Sequence, residues 1–400
     1  MAAQRFLIVG AGLAGAKAAE ALREKGFDGH ITLVGAEEHR PYERPPLSKG
    51  YLTGKSERES VFVHQSGWYR EHRVDLRTGA EVAAIDRAGR RVRLADGSHL
   101  DYDRMLLATG ARPRELPGAP GGEKYLRTLD DSDALREVLA TPGARLVILG
   151  AGWIGLEAAA AAREAGLSVT VLESAELPLL KALGPEAARV FADLHTEHGV
   201  DLRLGVDVEA VSGRGVRLAD GVHVEADAVL AGIGAAPNTE LAVQAGLEVD
   251  NGVLTDAALR TSDPDIFAAG DVANAFHPRY GSHIRVEHWA NALNQPAVAA
   301  AGMLGETAEY DRLPYFYTDQ YDLGMEYHGY VGPDGYDAVV FRGDVPARQF
   351  IAFWCSRGRV LAGMNVNIWD VGDQIKDLIR ADRPIDAARL ADVDVPLADL

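Results

Sequence analysis

The sequence predicts an α/β protein in which one strand–turn–helix plan is used twice, followed by a smaller α+β domain. Three observations carry this. A strand, a glycine turn, a helix, a strand and an acid follow one another from Leu146 to Glu173. The same order opens the chain at Arg5, and beyond about Arg312 the composition shifts to short strands rich in Tyr, Phe and Trp.

The central stretch begins with the apolar run Leu146–Leu149 and turns at Gly150-Ala-Gly152-Trp-Ile-Gly155. An Ala-rich helical segment follows through Ala165, then Leu167–Leu172 and an acidic end at Glu173. The first glycine permits the tight turn, the second lets a pyrophosphate approach the backbone, and the third lets helix pack on strand. The helix N-terminus faces the phosphates and the acid meets a ribose 2′-OH. A lone glycine pattern is weak evidence, but here the acid lies 18 residues after Gly155, close to the spacing of about 20 that the motif requires. The first copy runs Arg5–Val9, Gly10-Ala-Gly12-Leu-Ala-Gly15, a helix through Glu24 and Ile31–Val34, and the second starts 140 residues later. One unit binds one dinucleotide, so two Rossmann-like dinucleotide-binding domains imply two nucleotide cofactors. The economical pair is a tightly held flavin and an exchangeable nicotinamide, which makes the chain an oxidoreductase.

At 400 residues the chain exceeds a single core and divides into two or three domains. Hydrophobic residues at 47% and charged residues at 25% are ordinary for a globular protein. No apolar run reaches the ~18 residues of a transmembrane helix, and Met1–Arg5 passes at once into a strand, so no signal peptide and no membrane association are expected. The sole cysteine, Cys355, excludes an intrachain disulfide and points to a reducing, cytoplasmic setting. It also removes the dithiol relay that many two-nucleotide flavoproteins use, so electrons leave from the flavin itself or through an external carrier. A formal charge of −18 argues against nucleic acid and anionic membranes as partners, and leaves room for an acidic protein docked at a local patch. The 12 histidines are scattered without metal-ligand spacing, and no metal is expected.

Along the chain, Val34 is followed by Gly35, Ala36, Glu37 and Glu38, of which Glu37 is the better candidate for a ribose. Arg40–Gly54 is stiffened by Pro41, Pro45 and Pro46, with Ser48 a candidate cap for a short helix carrying Lys49. Residues 56–80 read as polar. Val82–Tyr102 alternates and turns at Asp96-Gly97, as β-hairpin material does. Leu106–Gly110 is a short buried strand that closes the first sheet, and Pro113–Pro120 a crossover linker. The second unit has its own β-rich tail, Leu202–Val229, ending in the strand-to-glycine turn Leu230-Ala-Gly232-Ile-Gly234. One plan therefore recurs: mononucleotide fold, β-meander, then a strand ending in glycine. Ile266–Ala269 is a strand leading to Gly270-Asp271, where an acid is well placed to bond ribityl hydroxyls. Glu287, His288 and Trp289 precede a helix whose N-terminus suits negative charge on a reduced flavin ring. The C-terminal region turns at Gly329, Pro333-Asp334-Gly335 and Arg357-Gly358, and its acidic, proline-containing tail Ala381–Leu400 reads as a mobile end.

With these residues assembled, the chain resembles the ferredoxin reductases of bacterial oxygenase systems. These are putidaredoxin-reductase-like and biphenyl-dioxygenase-reductase-like flavoproteins of the glutathione reductase superfamily. The resemblance runs through VGAGLAG at 9–15, RPPLSK at 44–49, ATGARP at 108–113 and YLRTL at 125–129. It continues in LGAGWIGLE at 149–157, GIGAAPN at 232–238, FAAGDVAN at 267–274, NAL at 291–293, DQY at 319–321 and AGMNVNIWDV at 362–371. It implies FAD in residues 1–110 and 245–310, NAD(H) in residues 111–244, and a C-terminal α+β domain, 311–400, that covers the flavin and helps form a docking face. Carried over by position, Gly10, Gly12, Ala14 and Gly15 surround the FAD pyrophosphate. Glu37 is offered to its ribose, and Arg44 and Lys49 to the flavin side. Val82 meets adenine, and Arg127, Asp271 and Trp289 are further FAD contacts. Gly150, Gly152, Ile154, Gly155, Glu173 and Gly234 belong to the NAD side. The resemblance also implies that Lys49 pairs with Glu157 near flavin N5, the two candidate catalytic residues.

The function implied is an FAD flavoprotein that takes hydride from NADH and passes single electrons to a small iron–sulfur ferredoxin of the 2Fe–2S type. That carrier in turn feeds a cytochrome P450 or ring-hydroxylating dioxygenase. Glu173 favours NADH because a carboxylate accepts from a 2′-OH and repels a 2′-phosphate. Three departures from the family pattern stand out. Ala36 replaces an acid found in some relatives, Tyr317 stands where tryptophan is often found, and no obvious basic cluster marks a docking face, for which Arg58, Arg70 and Arg73 are weak candidates. Alternatives on the same scaffold are a rubredoxin reductase, an NADH oxidase, and a redox-switched flavoprotein resembling apoptosis-inducing factor.

Overall fold

The computed structural model describes residues 3–116, 121–212, 214–332 and 335–400. The end of the expected linker Pro113–Pro120 and the Pro333-Asp334 part of the expected turn lie outside the described residues. The chain divides into two compact units. One is Met1–Arg44 with Glu57–Arg112 and Ala235–Arg312, the other Pro45–Ser56 with Pro113–Gly234 and Leu313–Leu400.

In the first unit Phe6–Val9 is buried throughout because strand Arg5–Val9 is the middle of a five-stranded parallel sheet. On one side it pairs with His30–Val34, which pairs with Val74–Arg77. On the other it pairs with Arg104–Leu107, which pairs with Ile266–Ala268. The chain thus continues to one side of the central strand and later returns on the other, which puts a topological switch point at Gly10. Arg104–Leu107 lies inside the sheet rather than closing it, since Ile266–Ala268 adds a further parallel strand beyond. Val74–Arg77 alternates apolar with charged residues, as an edge strand does, and so reads as loop in sequence. The expected hairpin is a three-stranded antiparallel meander, Val82–Asp86, Arg91–Leu94 and His99–Asp101. Helices Leu13–Glu24 and Trp289–Met303 pack together through small residues, including Ala14, Ala18, Ala299 and Ala300.

The second unit repeats the plan with four parallel strands ordered Asp201–Leu204, Ser168–Glu173, Arg145–Leu149 and Ala228–Ala231. Its switch point falls at Gly150. Helix Trp153–Glu164 buries Ala158–Ala162, whose lack of bulk lets it lie close to the sheet. Helix Leu129–Leu139 is opened by a capping box: Thr128 Oγ1 accepts from the Asp131 N–H at 3.1 Å and Asp131 Oδ2 from the Thr128 N–H at 2.8 Å. Such a cap contributes about 1 kcal/mol.

The C-terminal part of this unit is a five-stranded antiparallel sheet ordered Tyr315–Gln320, Leu323–Gly329, Arg359–Val366, Gln349–Ser356 and Ala338–Asp344, against which helix Gly372–Ala381 packs. The sheet shares one core with helix Leu180–Glu197, where Tyr327 and Trp354 join Leu183 and Phe191. That helix breaks at Gly184-Pro185. The break frees the Leu183 carbonyl, and the Trp354 indole N–H donates to it at 2.9 Å.

The tail Ala381–Leu400 is packed rather than a mobile end. Leu390, Leu397 and Leu400 are buried, and the buried Arg342 guanidinium donates to the carbonyls of Leu390, Val393 and Val395. Acidic composition misleads here because three leucines supply the buried face while the acids face water. No helix among the described residues is long and apolar enough to cross a membrane.

Candidate functional site

Both switch points end in the same backbone device. Gly10 and Gly150 have φ of +116° and +92°, and a Cβ on them would stand 2.1 Å from the Ala108 carbonyl oxygen and 2.5 Å from that of Gly232. A Cβ on Gly15 or Gly155 would meet the carbonyl oxygen of Gly10 or Gly150 at 2.0 and 2.2 Å. The protein's own packing therefore demands the first and third glycines. The middle ones differ: a Cβ on Gly12 meets nothing within 4 Å, and one on Gly152 reaches only the Gly232 oxygen, at 4.0 Å. No side chain caps the helix that follows either of them. Open space in front of unsatisfied helical N–H groups fits a pyrophosphate, which needs both room and donors.

The acids are placed differently. Val9 pairs with Val34 as Leu149 pairs with Leu172, and the N–H groups of Gly10 and Gly150 donate to the carbonyls of Val34 and Leu172, both at 2.8 Å. The next residue is Gly35 in one unit and Glu173 in the other. A Cβ on Gly35 would stand 2.5 Å from Ala11 Cβ, so no acid fits there, and Glu37 comes two residues later. Glu173 accepts from the backbone N–H groups of Ala151 at 2.7 Å and Ala175 at 2.9 Å, which clasps it to its own turn. Glu37 accepts from Arg44 at 2.9 Å and from the Tyr42 hydroxyl. Burial works against the Arg44 charge, but Tyr42, Glu37 and Asp271 outweigh it and raise the guanidinium above its ordinary value.

The first unit thus brings together Gly10, Gly12, Gly15, Glu37, Arg44 and Asp271, with Ala14 buried beside Gly270. Burial lowers the His288 imidazole to about 4, opposed by Asp271. Trp289 starts helix Trp289–Met303, and its indole N–H donates to Glu43 at 3.1 Å. Val82 is buried in the meander core. In the second unit Gly150, Gly152, Ile154, Gly155 and Glu173 share one turn, and Ile154 is an apolar side chain left 42% exposed there. Gly234, at φ +106°, accepts at its carbonyl from the Arg114 N–H at 2.9 Å. Arg127 directly precedes the Thr128 cap, and its backbone N–H donates to Asp131 at 3.0 Å.

The second unit also contains a buried ion pair. Lys49 follows the short 3₁₀ turn Pro45–Ser48, and Glu157 lies on helix Trp153–Glu164. Their side chains pair directly and are 16% and 5% exposed. Glu157 further accepts from the Thr318 hydroxyl at 2.6 Å and from the Ser48 hydroxyl at 2.5 Å. A buried carboxylate satisfied on both oxygens and paired with an ammonium avoids the cost of an isolated charge. The Lys49 ammonium lies 5.5 Å from the Tyr317 ring centre. Asp319 is held above the usual carboxylate range by burial, with Lys49 opposing and Glu157 and Glu326 adding to it. Ser48 caps no helix, because Pro45–Ser48 forms a single 3₁₀ turn and the hydroxyl turns to Glu157. Thr318 escapes sequence reasoning, since its inward orientation follows only from knowing which face of Tyr315–Gln320 is buried.

Residues 4–296 match the family described as pyridine nucleotide-disulphide oxidoreductase, and residues 315–400 match the reductase C-terminal family. The chain belongs to the pyridine nucleotide-disulphide oxidoreductase family. It is 43% identical over 407 residues to the ferredoxin–NAD(+) reductase component of the anthranilate 1,2-dioxygenase system of Burkholderia cepacia, covering 99% of each chain. It is 40% identical to putidaredoxin reductase of Pseudomonas putida, over 98% of this chain and 96% of that one. Among solved structures, the covalent putidaredoxin reductase–putidaredoxin complex matches with a TM-score of 0.95 and 40% identity over 99% of this chain and 98% of that one. The expected fold class, two Rossmann-like domains with a C-terminal α+β domain, is borne out. FAD and NAD(H), the cofactors of this family, suit the two turns. Despite the family's name, the chain has one cysteine, buried on strand Gln349–Ser356 with its thiol raised to about 11 by burial.

Proposed function

We propose that this chain is an NADH-dependent ferredoxin reductase. It takes hydride from NADH and passes single electrons to a small iron–sulfur ferredoxin that serves a cytochrome P450 or ring-hydroxylating dioxygenase. The observation that carries the reading is two complete dinucleotide turns in a chain whose sole cysteine is buried. With two nucleotides and no second thiol, electrons are handed outward from the flavin. Similarity to oxygenase-system reductases along nearly the whole chain supports the same carrier class.

The bound flavin supplies the conversion between a two-electron hydride transfer and one-electron steps. Residues 1–110 and 245–310 hold FAD, with Gly10, Gly12, Ala14 and Gly15 at its pyrophosphate and Glu37, Arg44, Val82, Arg127, Asp271 and Trp289 as further contacts. Residues 111–244 hold the nicotinamide dinucleotide through Gly150, Gly152, Ile154, Gly155 and Gly234, and residues 311–400 form the C-terminal domain. Glu173 accepts from a ribose 2′-OH and repels a 2′-phosphate, selecting NADH. Lys49 carries a positive charge that Glu157 fixes in place, and a fixed cation favours the reduced flavin. No nucleophile or acid–base pair is required, because positioning of the two rings supplies the rate. The reading sets the reaction in the cytoplasm, where a free thiol stays reduced.

The test is an anaerobic titration of the flavin-loaded protein with NADH, then with a 2Fe–2S ferredoxin. The flavin absorbance bleaches with one equivalent of NADH and returns as ferredoxin is reduced. Bleaching that ferredoxin cannot discharge, while oxygen or rubredoxin can, would overturn the assigned acceptor; no bleaching would overturn the enzyme.

A further inference from the structure

Beyond the Lys49–Glu157 pair, polar side chains continue in single file through the interior of the second unit. Strand Tyr315–Gln320 has a period of two, so Thr318 and Gln320 point to the same buried face. Thr318 donates to Glu157 at 2.6 Å, and the Gln320 amide N–H donates to Thr318 at 3.1 Å. The Gln320 carbonyl oxygen lies 2.8 Å from Nε2 of His195 on helix Leu180–Glu197, and the Tyr321 hydroxyl faces His195 Nδ1 at 3.4 Å. Thr318, Gln320 and His195 are each no more than 1% exposed.

Hydrogen-bond chemistry leaves this file one direction. A carboxylate already paired with an ammonium accepts and does not donate, so the Thr318 hydroxyl must point its proton at Glu157. Its lone pair then takes the Gln320 N–H, which fixes the amide with its carbonyl toward His195. That carbonyl needs a donor, so His195 carries its proton on Nε2 and presents Nδ1 to Tyr321. Tyr321 is a non-glycine residue at φ +55°, stacked on the His198 ring at 3.7 Å between centroids. The sheet hairpin holds a strained residue where it ends the file.

We propose that Gln320 and His195 are positioning residues: they orient the Thr318 hydroxyl as a donor to Glu157 and, through Glu157, hold the Lys49 ammonium in one place. This rests on the reading that the Lys49–Glu157 pair serves the bound flavin. An amide in the middle of the file does not pass protons readily, so the file orients the pair rather than conducting protons. Oriented donors in a buried site reinforce one another, and a lost one frees those beyond it to turn.

The first test needs no activity. With ¹⁵N-labelled histidine, His195 gives one tautomer, protonated at Nε2. Thr318→Val removes the group that fixes the Gln320 amide without touching His195, and the tautomer ratio at His195 shifts by about tenfold or more, while Thr318→Ser restores it. An unchanged ratio in Thr318→Val overturns the proposal. The second test is anaerobic stopped-flow reduction of the flavin by NADH. Gln320→Leu, or Gln320→Asn should the first fail to fold, slows reduction by about 10- to 100-fold with the NADH KM within about twofold, as loss of positioning does. Lys49→Met separates the two readings. If it reduces as fast as the parent, the role of the ion pair fails while the tautomer coupling stands. If it slows and both Gln320 variants do not, the positioning proposal alone fails.

Discussion

The turn at Gly10 and the turn at Gly150 share every feature that packing dictates and part at the acid. In both, the first and third glycines are hemmed by carbonyl oxygens, and the middle glycine faces open space. One residue after the partner of Val9 or Leu149, however, the first unit has Gly35 pressed on Ala11 and the second has Glu173 held by backbone N–H groups. Glu37 reaches its place only through Tyr42 and Arg44. The difference teaches that the glycine turn is a property of the fold, repeated wherever the fold is, whereas the placement of the acid beside it is set by local side chains and is free to differ between the two units.

The comparison breaks first at the glycines. Gly10→Ala and Gly150→Ala each add strain at positive φ and a carbonyl collision; each lowers unfolding free energy by about 3 kcal/mol or more in urea denaturation. Gly12→Ala and Gly152→Ala, with room for the methyl group, stay within about 1 kcal/mol. Equal losses at all four positions would show that the middle glycines also serve packing.

Acid acts on the second unit by a different route. Burial lowers His195 and His328 to about 4, with the Gln320 bond opposing at His195 and Lys376 reinforcing at His328. Unfolded, both titrate near 6.5, so between these values the unfolded chain binds more protons than the folded one. Stability is full above about pH 6.5 and is lost as pH falls toward 4, by on the order of 3 kcal/mol for each buried imidazole. His195→Asn removes one such group. The pH dependence of the urea midpoint should then flatten by about one proton, and an undiminished slope would show that His195 takes no part.

The smallest effect sharpens the contrast between the acids. Glu173→Ala should cut the preference for NADH over NADPH, measured as the ratio of kcat/KM values, by about tenfold or more, the scale of one lost hydrogen bond to a charged group. Glu37→Ala should leave that ratio alone and instead weaken FAD retention on dilution. The same ratio in both variants would end the division of labour.

Glycine spacing, apolar runs and the repeat were legible because each depends on backbone sterics that any sequence adopting the fold must satisfy. The strand Val74–Arg77 was not, since an edge strand needs only two apolar residues. Nor was the packing of the tail, whose leucines are diluted by acids. Among site residues, the glycines and Glu173 announce themselves by distance from one another along the chain. Ser48, Thr318, Gln320 and His195 do not, because they come from three separate segments that meet only on folding.

By itself the sequence determined two nucleotide-binding units, a C-terminal domain of another kind and a chemistry without a disulfide, all consequences of local geometry or of a count of one cysteine. Tertiary structure alone decided which acid lies against its own turn, which hydroxyl turns from capping to a buried carboxylate, and which histidine stands at the far end of the file from Lys49. Such contacts depend on register and on which face of a strand is buried, and a side chain's partner is undefined until the sheet that presents it has formed.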